Sequence, residues 1–275
     1  MKKEVTQEQK EKIIYNYTVL KKGQKASGAE FGFGDKIVKR VLEENNIPIR
    51  TKVGGRRQFD VDDNYFSPER QSANQAYIIG FLGADGNVNS RENRIDLELW
   101  KEDHDILEQI RTEIKSEREV KIYKCANGYE KHKLYFTSEQ IKNDLKKFHI
   151  IPNKTYSKEY TFPELIEEKY IIDYIRGLFD GDGSVKWTNG TICFQIDSSS
   201  KEVLEGINNF FEKKGIHLSF GENQKVNLTL HRLYCYGDNA IKIYNMLYTP
   251  NSLFLARKKE KWEELLSLYK TKEIK

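Results

Sequence analysis

Two apolar segments, YIIGFLGADG at Tyr77–Gly86 and YIRGLFDGDG at Tyr174–Gly183, lie 97 residues apart, and each ends in a small residue followed by Asp-Gly. A repeat of this kind constrains the fold more than composition does, because it implies two copies of one structural unit. Read as helices, the segments place Gly80 and Ala84 four residues apart on one face, and Gly177 and Gly181 likewise. Small residues at that spacing remove side-chain bulk, so that two helix backbones can approach closely. Glycine inside a helix costs about 1 kcal/mol relative to alanine, which points to a packing reason for it. Two such helices packed about a pseudo-two-fold axis bring their C-terminal ends, with Asp85 and Asp182, side by side. Gly86 and Gly183 are expected to supply the permissive backbone that ends each helix and begins a strand.

The order of elements around the segments also repeats. Ser72 and Gln75 read as a capping box for the first helix. RIDLELW alternates with a period of two, DHDILEQIRTEI is amphipathic, and EVKIYKC and YEKHKLYF flank the Asn127-Gly128 turn signal. SEQIKNDLKKF follows as a helix. In the second half Asn189-Gly190 marks another hairpin, and Ser199 with Glu202 reads as a capping box for KEVLEGINNFFEKKG. HLSFGENQKVNLTLHRLYCYG supplies two strands, DNAIKIYNMLY a helix, and ARKKEKWEELLSLYK a last helix. Each half therefore reads helix, two strands, helix, two strands, helix, and the two halves share an interface as a symmetric dimer would. Expected boundaries are 72–165 for the first repeat and 166–275 for the second, after a polar linker at 66–71.

Residues 1–65 read as a small helical domain. Thr6 caps a helix through Leu20, a short second helix covers Ser27 to Phe31, and Asp35 caps a third, DKIVKRVLEENN, with Lys36, Lys39 and Arg40 outward. A helix, a glycine turn and a helix with a basic outer face is the helix-turn-helix pattern. The following PIRTKVGGRRQF, with Arg50, Lys52, Arg56 and Arg57, reads as an arm lying along a groove. Lys21 to Arg57 hold ten Lys/Arg against four Asp/Glu, a footprint for phosphate within a chain of net charge +4. The three cysteines are scattered, so neither a disulfide framework nor a zinc site is expected, and none of the five histidines has metal-ligand spacing. No secretory signal or membrane span is expected either.

Two carboxylates brought together at helix C-termini repel each other and meet the negative ends of both helix dipoles. The arrangement makes sense if divalent cations sit between them, because carboxylates, carbonyls and phosphate oxygens are the hard ligands Mg²⁺ accepts. Metal-assisted phosphodiester hydrolysis on the axis is the chemistry that follows.

IIGFLGADG (78–86) and IRGLFDGDG (175–183) resemble the two copies of the LAGLIDADG motif, and the chain from Ser72 to Tyr269 resembles a single-chain, two-motif LAGLIDADG homing endonuclease. The likeness extends to IIPNKT near the end of the first repeat and LARKK near the end of the second. It implies an α+β fold of two αββαββα halves with antiparallel sheets forming a saddle on DNA, joined here to the small all-α helix-turn-helix-like domain. It further implies Asp85 and Asp182 as metal-binding catalytic acids, the carbonyls of Ala84 and Gly181 as added ligands, and Mg²⁺ as cofactor, with Mn²⁺ or Ca²⁺ able to substitute in binding. Lys154 lies 69 residues after Asp85 and Lys258 lies 76 after Asp182, and these are the candidate catalytic lysines, with Lys259 as neighbour. The sixth motif position is Gly83 in the first copy and Asp180 in the second. Arg176 is unusual in a buried helix and is expected to point out of the interface or to pair with Asp173 or Asp180.

The implied reaction cuts both strands of a long asymmetric DNA target across the minor groove and leaves short 3′ overhangs. An RNA maturase acting on an intron, or a transcription regulator that has lost cleavage, are the alternatives. Candidate DNA contacts on the strands are Arg91, Arg94, Lys121, Lys124, Lys131 and Lys133 in the first half, and Lys186, Gln195, Lys225, Asn227 and Arg232 in the second. Trp100 and Trp187 are assigned to the core. A monomer with pseudo-two-fold symmetry is expected, in the cytoplasm of a bacterial or phage-infected cell or in an organelle matrix.

Overall fold

The structure is a computed structural model that describes residues 5–20, 22–49, 59–126, 128–225 and 228–273. Arg50, Lys52, Arg56, Arg57 and Asn227, and Asn127 of the first hairpin turn, lie outside the described residues. The chain divides into two units, Met1–Val61 and Asp62–Lys275.

In the first unit, α1 (Gln7–Thr18) is capped by a reciprocal Thr6–Gln9 box. The short second helix is two pieces, α2 (Gln24–Ser27) and a 3₁₀ turn at Ala29–Phe31, separated by Gly28, where a Cβ would stand 2.6 Å from the Val38 side chain. In α3 (Asp35–Glu44) the capping position belongs to Gly34, and Asp35 is the first helical residue. Ile13, Tyr17, Phe33, Val38, Val41 and Leu42 form the core. Asn16 is buried with them and donates to Ser27 O at 3.2 Å and to Glu30 at 3.1 Å, so a polar group in the core keeps its partners. Lys36 is exposed, while Lys39 and Arg40 each face an acid one turn on, Glu43 and Glu44, at 3.7 Å.

The second unit is a duplicated αββαββα fold. The first copy runs α4 (Ala73–Asp85), β1 (Gly86–Val88), β2 (Arg94–Trp100), α5 (His104–Glu113), β3 (Lys121–Lys124), β4 (Glu130–Thr137) and α6 (Glu139–Lys147). The second runs α7 (Ile171–Asp182), β5 (Gly183–Thr188), β6 (Thr191–Ser198), α8 (Lys201–Glu212), β7 (Ser219–Lys225), β8 (Leu228–Tyr236) and α9 (Asp238–Leu247), and α10 (Ala256–Glu273) follows. Each copy forms a four-stranded antiparallel sheet of the same order, β1-β2-β4-β3 and β5-β6-β8-β7. The alternation predicted for β2 holds: Ile95, Leu97 and Leu99 pair with Phe136, Leu134 and His132 on the helix-covered face. Asn189 and Gly190 both take positive φ, as a two-residue hairpin turn requires.

Three local expectations change. Ser72 accepts from the Gln75 amide, but the Gln75 side chain turns away to the carbonyls of Tyr65 and Ser67, so the box is not reciprocal. The cap of α8 is Ser200 rather than Ser199. Neither tryptophan is buried: Trp100 is 47 % exposed and Trp187 37 %. The pleat puts Trp100 opposite Lys131 on the open face of its sheet, where the ammonium lies 5.1 Å from the ring, whereas Trp187 shares the helix-side register with Ile192 at the sheet margin. Trp262 of α10 fills the core instead.

Candidate active site at the junction of the two repeats

The two motif helices touch backbone to backbone. A Cβ added at Gly80 would stand 2.0 Å from the Tyr174 carbonyl oxygen, and one at Gly177 would stand 2.0 Å from the Tyr77 oxygen. The contact is reciprocal, as a two-fold relation demands. One turn further on, a Cβ at Gly181 would meet Ala84 Cβ at 2.3 Å and Asp85 Oδ2 at 3.0 Å, so the helix ends are equally close. Gly80, Ala84, Gly177 and Gly181 thus all lie at the interface.

Gly86 and Gly183 are needed for a different reason from the expected one. Both have ordinary negative φ and extended ψ. A Cβ at Gly86 would meet Leu82 O at 2.5 Å, and one at Gly183 would meet Phe179 O at 2.5 Å and the Phe179 ring at 2.2 Å. The chain folds back so sharply from helix to strand that only hydrogen fits. The amides of Gly86 and Gly183 close the last turns on those same carbonyls.

Lys154 and Lys258 occupy corresponding places. Lys154 Nζ donates to Gly86 O, and Lys258 Nζ donates to Gly183 O and, at 3.3 Å, to Phe179 O. Each lysine therefore binds the carbonyl of the residue that follows a motif aspartate. Lys259 points elsewhere, to Glu263 at 2.5 Å. Asp85 and Asp182 are both exposed by surface area, although they stand at closely packed helix ends. Burial at those ends raises Asp85, opposed by Lys258, Lys154 and Arg257. Burial also raises Asp182, and the negative charge of Asp85 raises it further, to about 7. Burial lowers both lysines, Lys258 to about 8. A cavity of about 210 Å³ opens beside these groups, lined by Ala84, Lys154, Tyr160, Asp182, Asp197 and Ser198 among others.

The remaining motif residues brace this centre. Asp180 is fully buried and accepts from Tyr77 OH at 2.9 Å, Tyr248 OH at 2.8 Å and the Leu255 amide at 2.8 Å. It joins α4, α7 and the segment that starts α10. Arg176 is fully buried and pairs with Asp173 at 2.7 Å, and it also donates to Leu253 O and Leu247 O. At Gly83, where the second copy has Asp180, the carbonyl accepts from Tyr160 OH at 3.0 Å.

On the open sheet faces, Arg94, Lys131 and Lys133 fall in one register set, and Lys121 pairs with Lys133 on the same face. Lys124 pairs with Glu130 and so lies on the opposite face, which removes it from that surface. Arg91 sits exposed in the β1–β2 loop. Acids interleave with the bases: Lys133 and Arg94 both reach Asp96 at 3.0 Å, and Lys131 reaches Glu98 at 3.0 Å. In the second sheet Lys186 binds Gln195 at 2.8 Å, Gln195 binds Asp197 at 2.6 Å, and Arg232 binds Asp197 at 2.7 Å. The Lys225 side chain lies outside the described residues. Asp96, Asp197, Tyr160 and Arg257 were not singled out by the sequence. Cross-strand register and pairs distant in sequence bring them in, and no local pattern marks them.

Comparison with known proteins finds a family match over part of the second repeat. Residues 169–247 match the LAGLIDADG-like domain. The uncharacterized protein MJ0314 of Methanocaldococcus jannaschii is 26 % identical over 188 residues, which cover 66 % of this chain and 68 % of that protein. Similar solved structures include the homing endonuclease I-DmoI in complex with DNA and Ca (13 % identity, TM-score 0.49, 74 % of this chain and 99 % of that one). The N-terminal LAGLIDADG domain of DUF199/WhiA is another (15 % identity, TM-score 0.43, 70 % of this chain and 90 % of that one). No helix among the described residues is long and apolar enough to cross a membrane.

Proposed function

We propose that the chain is a metal-dependent, site-specific DNA endonuclease that cuts both strands of a long asymmetric target. The observation that carries this reading is the paired centre: two carboxylates at touching helix ends, each followed by a carbonyl that binds a lysine. A protein that only bound DNA would gain nothing by setting two acids side by side at helix ends, where burial and then the charge of Asp85 both raise Asp182. The donor set suits a hard divalent cation. Asp85 and Asp182 supply carboxylate oxygens, and the Ala84 and Gly181 carbonyls lie in last helical turns where no further helical N–H follows them. Bound there, Mg²⁺, Mn²⁺ or Ca²⁺ would relieve the carboxylate repulsion, and a catalytically competent ion would polarise phosphoryl oxygens.

The chain's own part is positional and electrostatic. Lys154 and Lys258 stand beside the carboxylates, where an ammonium stabilises charge developing on a phosphodiester. The open sheet faces carry Arg94, Lys121, Lys131, Lys133, Lys186, Gln195 and Arg232 for phosphates and base edges. Their internal ion pairs exchange partners when DNA docks. The third helix of the first unit, through Lys36, Lys39 and Arg40, extends the footprint, and the tether raises its effective concentration on a long site. One acid per strand, scission across the minor groove and short 3′ overhangs complete the reading.

The test is cleavage of a randomised duplex library with Mg²⁺, wild type beside Asp85→Asn and Asp182→Asn. Double-strand cuts at one long site, reduced to nicks or nothing by either variant, support the proposal. Specific binding without a cut in Mg²⁺ or Mn²⁺ assigns the chain to the regulators. Binding to intron RNA alone assigns it to the maturases.

A further inference from the structure

The paired centre is not electrically symmetric. Arg257 precedes Lys258, whereas the residue preceding Lys154 is Asn153. Arg257 belongs to α10 of the second repeat, yet its Nε and Nη2 bind both oxygens of Asp103, at 2.7 and 3.0 Å, just before α5 of the first repeat. Asp103 is 4 % exposed. The Arg257 side chain is about half exposed, and its charge lowers the proton affinity of both Asp85 and Lys258. On Asp182 the main charges are different: the two lysines, opposed by the negative charges of Asp85 and Asp197.

A bidentate pair fixes the plane of a guanidinium and leaves the Nη1 hydrogens for a ligand. A carboxylate as buried as Asp103 does not release its partner cheaply, since it would be left charged and desolvated. Phosphodiester oxygen is the ligand such a guanidinium suits best. An arginine here also cannot be exchanged for lysine without losing the fork.

We infer that the Asp103–Arg257 clamp is a strand-selective phosphate-positioning device: Arg257 holds the backbone phosphate of the strand served by Asp85, while the corresponding position of the first repeat holds Asn153, which carries no guanidinium. Asp103 acts only through Arg257. The inference rests on the nuclease reading and deepens it, because unequal positioning makes the two strand cuts unequal and ordered.

The experiment is single-turnover cleavage of the preferred duplex, each strand labelled separately, by wild type, Arg257→Gln, Arg257→Lys and Asp103→Asn. Asp85→Asn, run in parallel, identifies the strand that Asp85 serves. Thermal melting and DNA binding with Ca²⁺ report folding and affinity. The expected result is that Arg257→Gln slows that strand by about tenfold or more while the other changes by less than about threefold. Arg257→Lys and Asp103→Asn should show the same strand bias at smaller size. Equal slowing of both strands, or a variant that melts like wild type with an unchanged strand ratio, overturns the proposal. A wild type that cuts neither strand overturns the nuclease reading, and this inference with it.

Discussion

Alanine at Gly80 tests the closeness of the two motif helices directly. Its Cβ would stand 2.0 Å from the Tyr174 oxygen, 2.9 Å from the Tyr174 carbonyl carbon and 3.0 Å from the Leu178 amide nitrogen. All three are backbone atoms of the opposing helix, so no side-chain rotation relieves the clash. Reaching an ordinary contact of 3.4 Å or more requires the helices to part by over about 1 Å. Alanine gains about 1 kcal/mol in helix propensity, whereas overpacking costs about 1–3 kcal/mol and more where the obstacle is backbone. The net expectation is a loss of about 2 kcal/mol or more, which for a unit of this size lowers Tm by about 4–8 °C. Gly177→Ala, whose Cβ meets Tyr77 O at 2.0 Å, should match it. The double variant should lose less than the sum, because one separation serves both sites. Gly83→Ala should cost less, since its Cβ meets the ends of the Tyr160 and Leu178 side chains. Urea and thermal unfolding give the ranking. A Gly80→Ala variant that melts at or above wild type would refute backbone contact between these helices. A shift of this size between Asp85 and Asp182 should also reduce cleavage by about a hundredfold at a temperature where the variant is folded.

Three other outcomes follow from the same geometry. Arg176→Met leaves the Asp173 carboxylate and two buried carbonyls without their donor, so it should cost about 3–5 kcal/mol by urea unfolding, part of which Asp173→Leu restores. Asp182→Asn should be more stable than wild type above pH 7 when measured in chelator. The folded-state proton affinity of Asp182 is raised from 3.8 to about 7, so the native state binds its proton more tightly than the unfolded chain. Wild-type stability therefore falls as pH rises from about 4 to about 7, and the asparagine variant lacks that loss. Discounted for the open side of the carboxylate, the gain is about 1 kcal/mol, and the two proteins should converge below about pH 4. Lys154→Met and Lys258→Met should each lower single-turnover cleavage by about a hundredfold while changing Ca²⁺-supported DNA binding by only a few fold. Equal losses in binding and cleavage would show that the lysines serve affinity rather than the chemical step.

The parts legible in the sequence are those that the repeat itself encodes. The glycine spacing locates the helix contact, and the duplication locates two sheets of one topology. Lys154 and Lys258 came from the likeness of IIPNKT and LARKK to basic positions of the LAGLIDADG family, and the two lysines make matching carbonyl contacts. Features set by register or by long-range pairing were not legible. Alternation shows which face Lys133 takes, but not that Asp96 lies where it can neutralise it. Lys124 was placed with Lys121 because composition alone does not distinguish the two faces of a short strand. Size alone places Trp100 and Trp187 inward, but both are part exposed, and the buried tryptophan is Trp262, packed against Phe179 and Phe194. Arg257 and Asp103 are separated by 154 residues, and only the fold brings them together.

The two kinds of glycine and the two aspartates belong to one physical argument. Gly80 and Gly177 bring the backbones into contact, and that contact forces Asp85 and Asp182 into a region of shared negative charge. Gly86 and Gly183 then fold each chain back so tightly that the next carbonyl faces a lysine from the same repeat. At that centre desolvation first and the charge of Asp85 second disfavour the ionised form of Asp182. Interactions elsewhere offset this, among them the three hydrogen bonds to buried Asp180 and the fully paired Arg176. Relaxing the helix contact should therefore relieve the acids and abolish their joint use at once. A variant that gained stability through wider carboxylate spacing and still cut both strands would contradict this coupling.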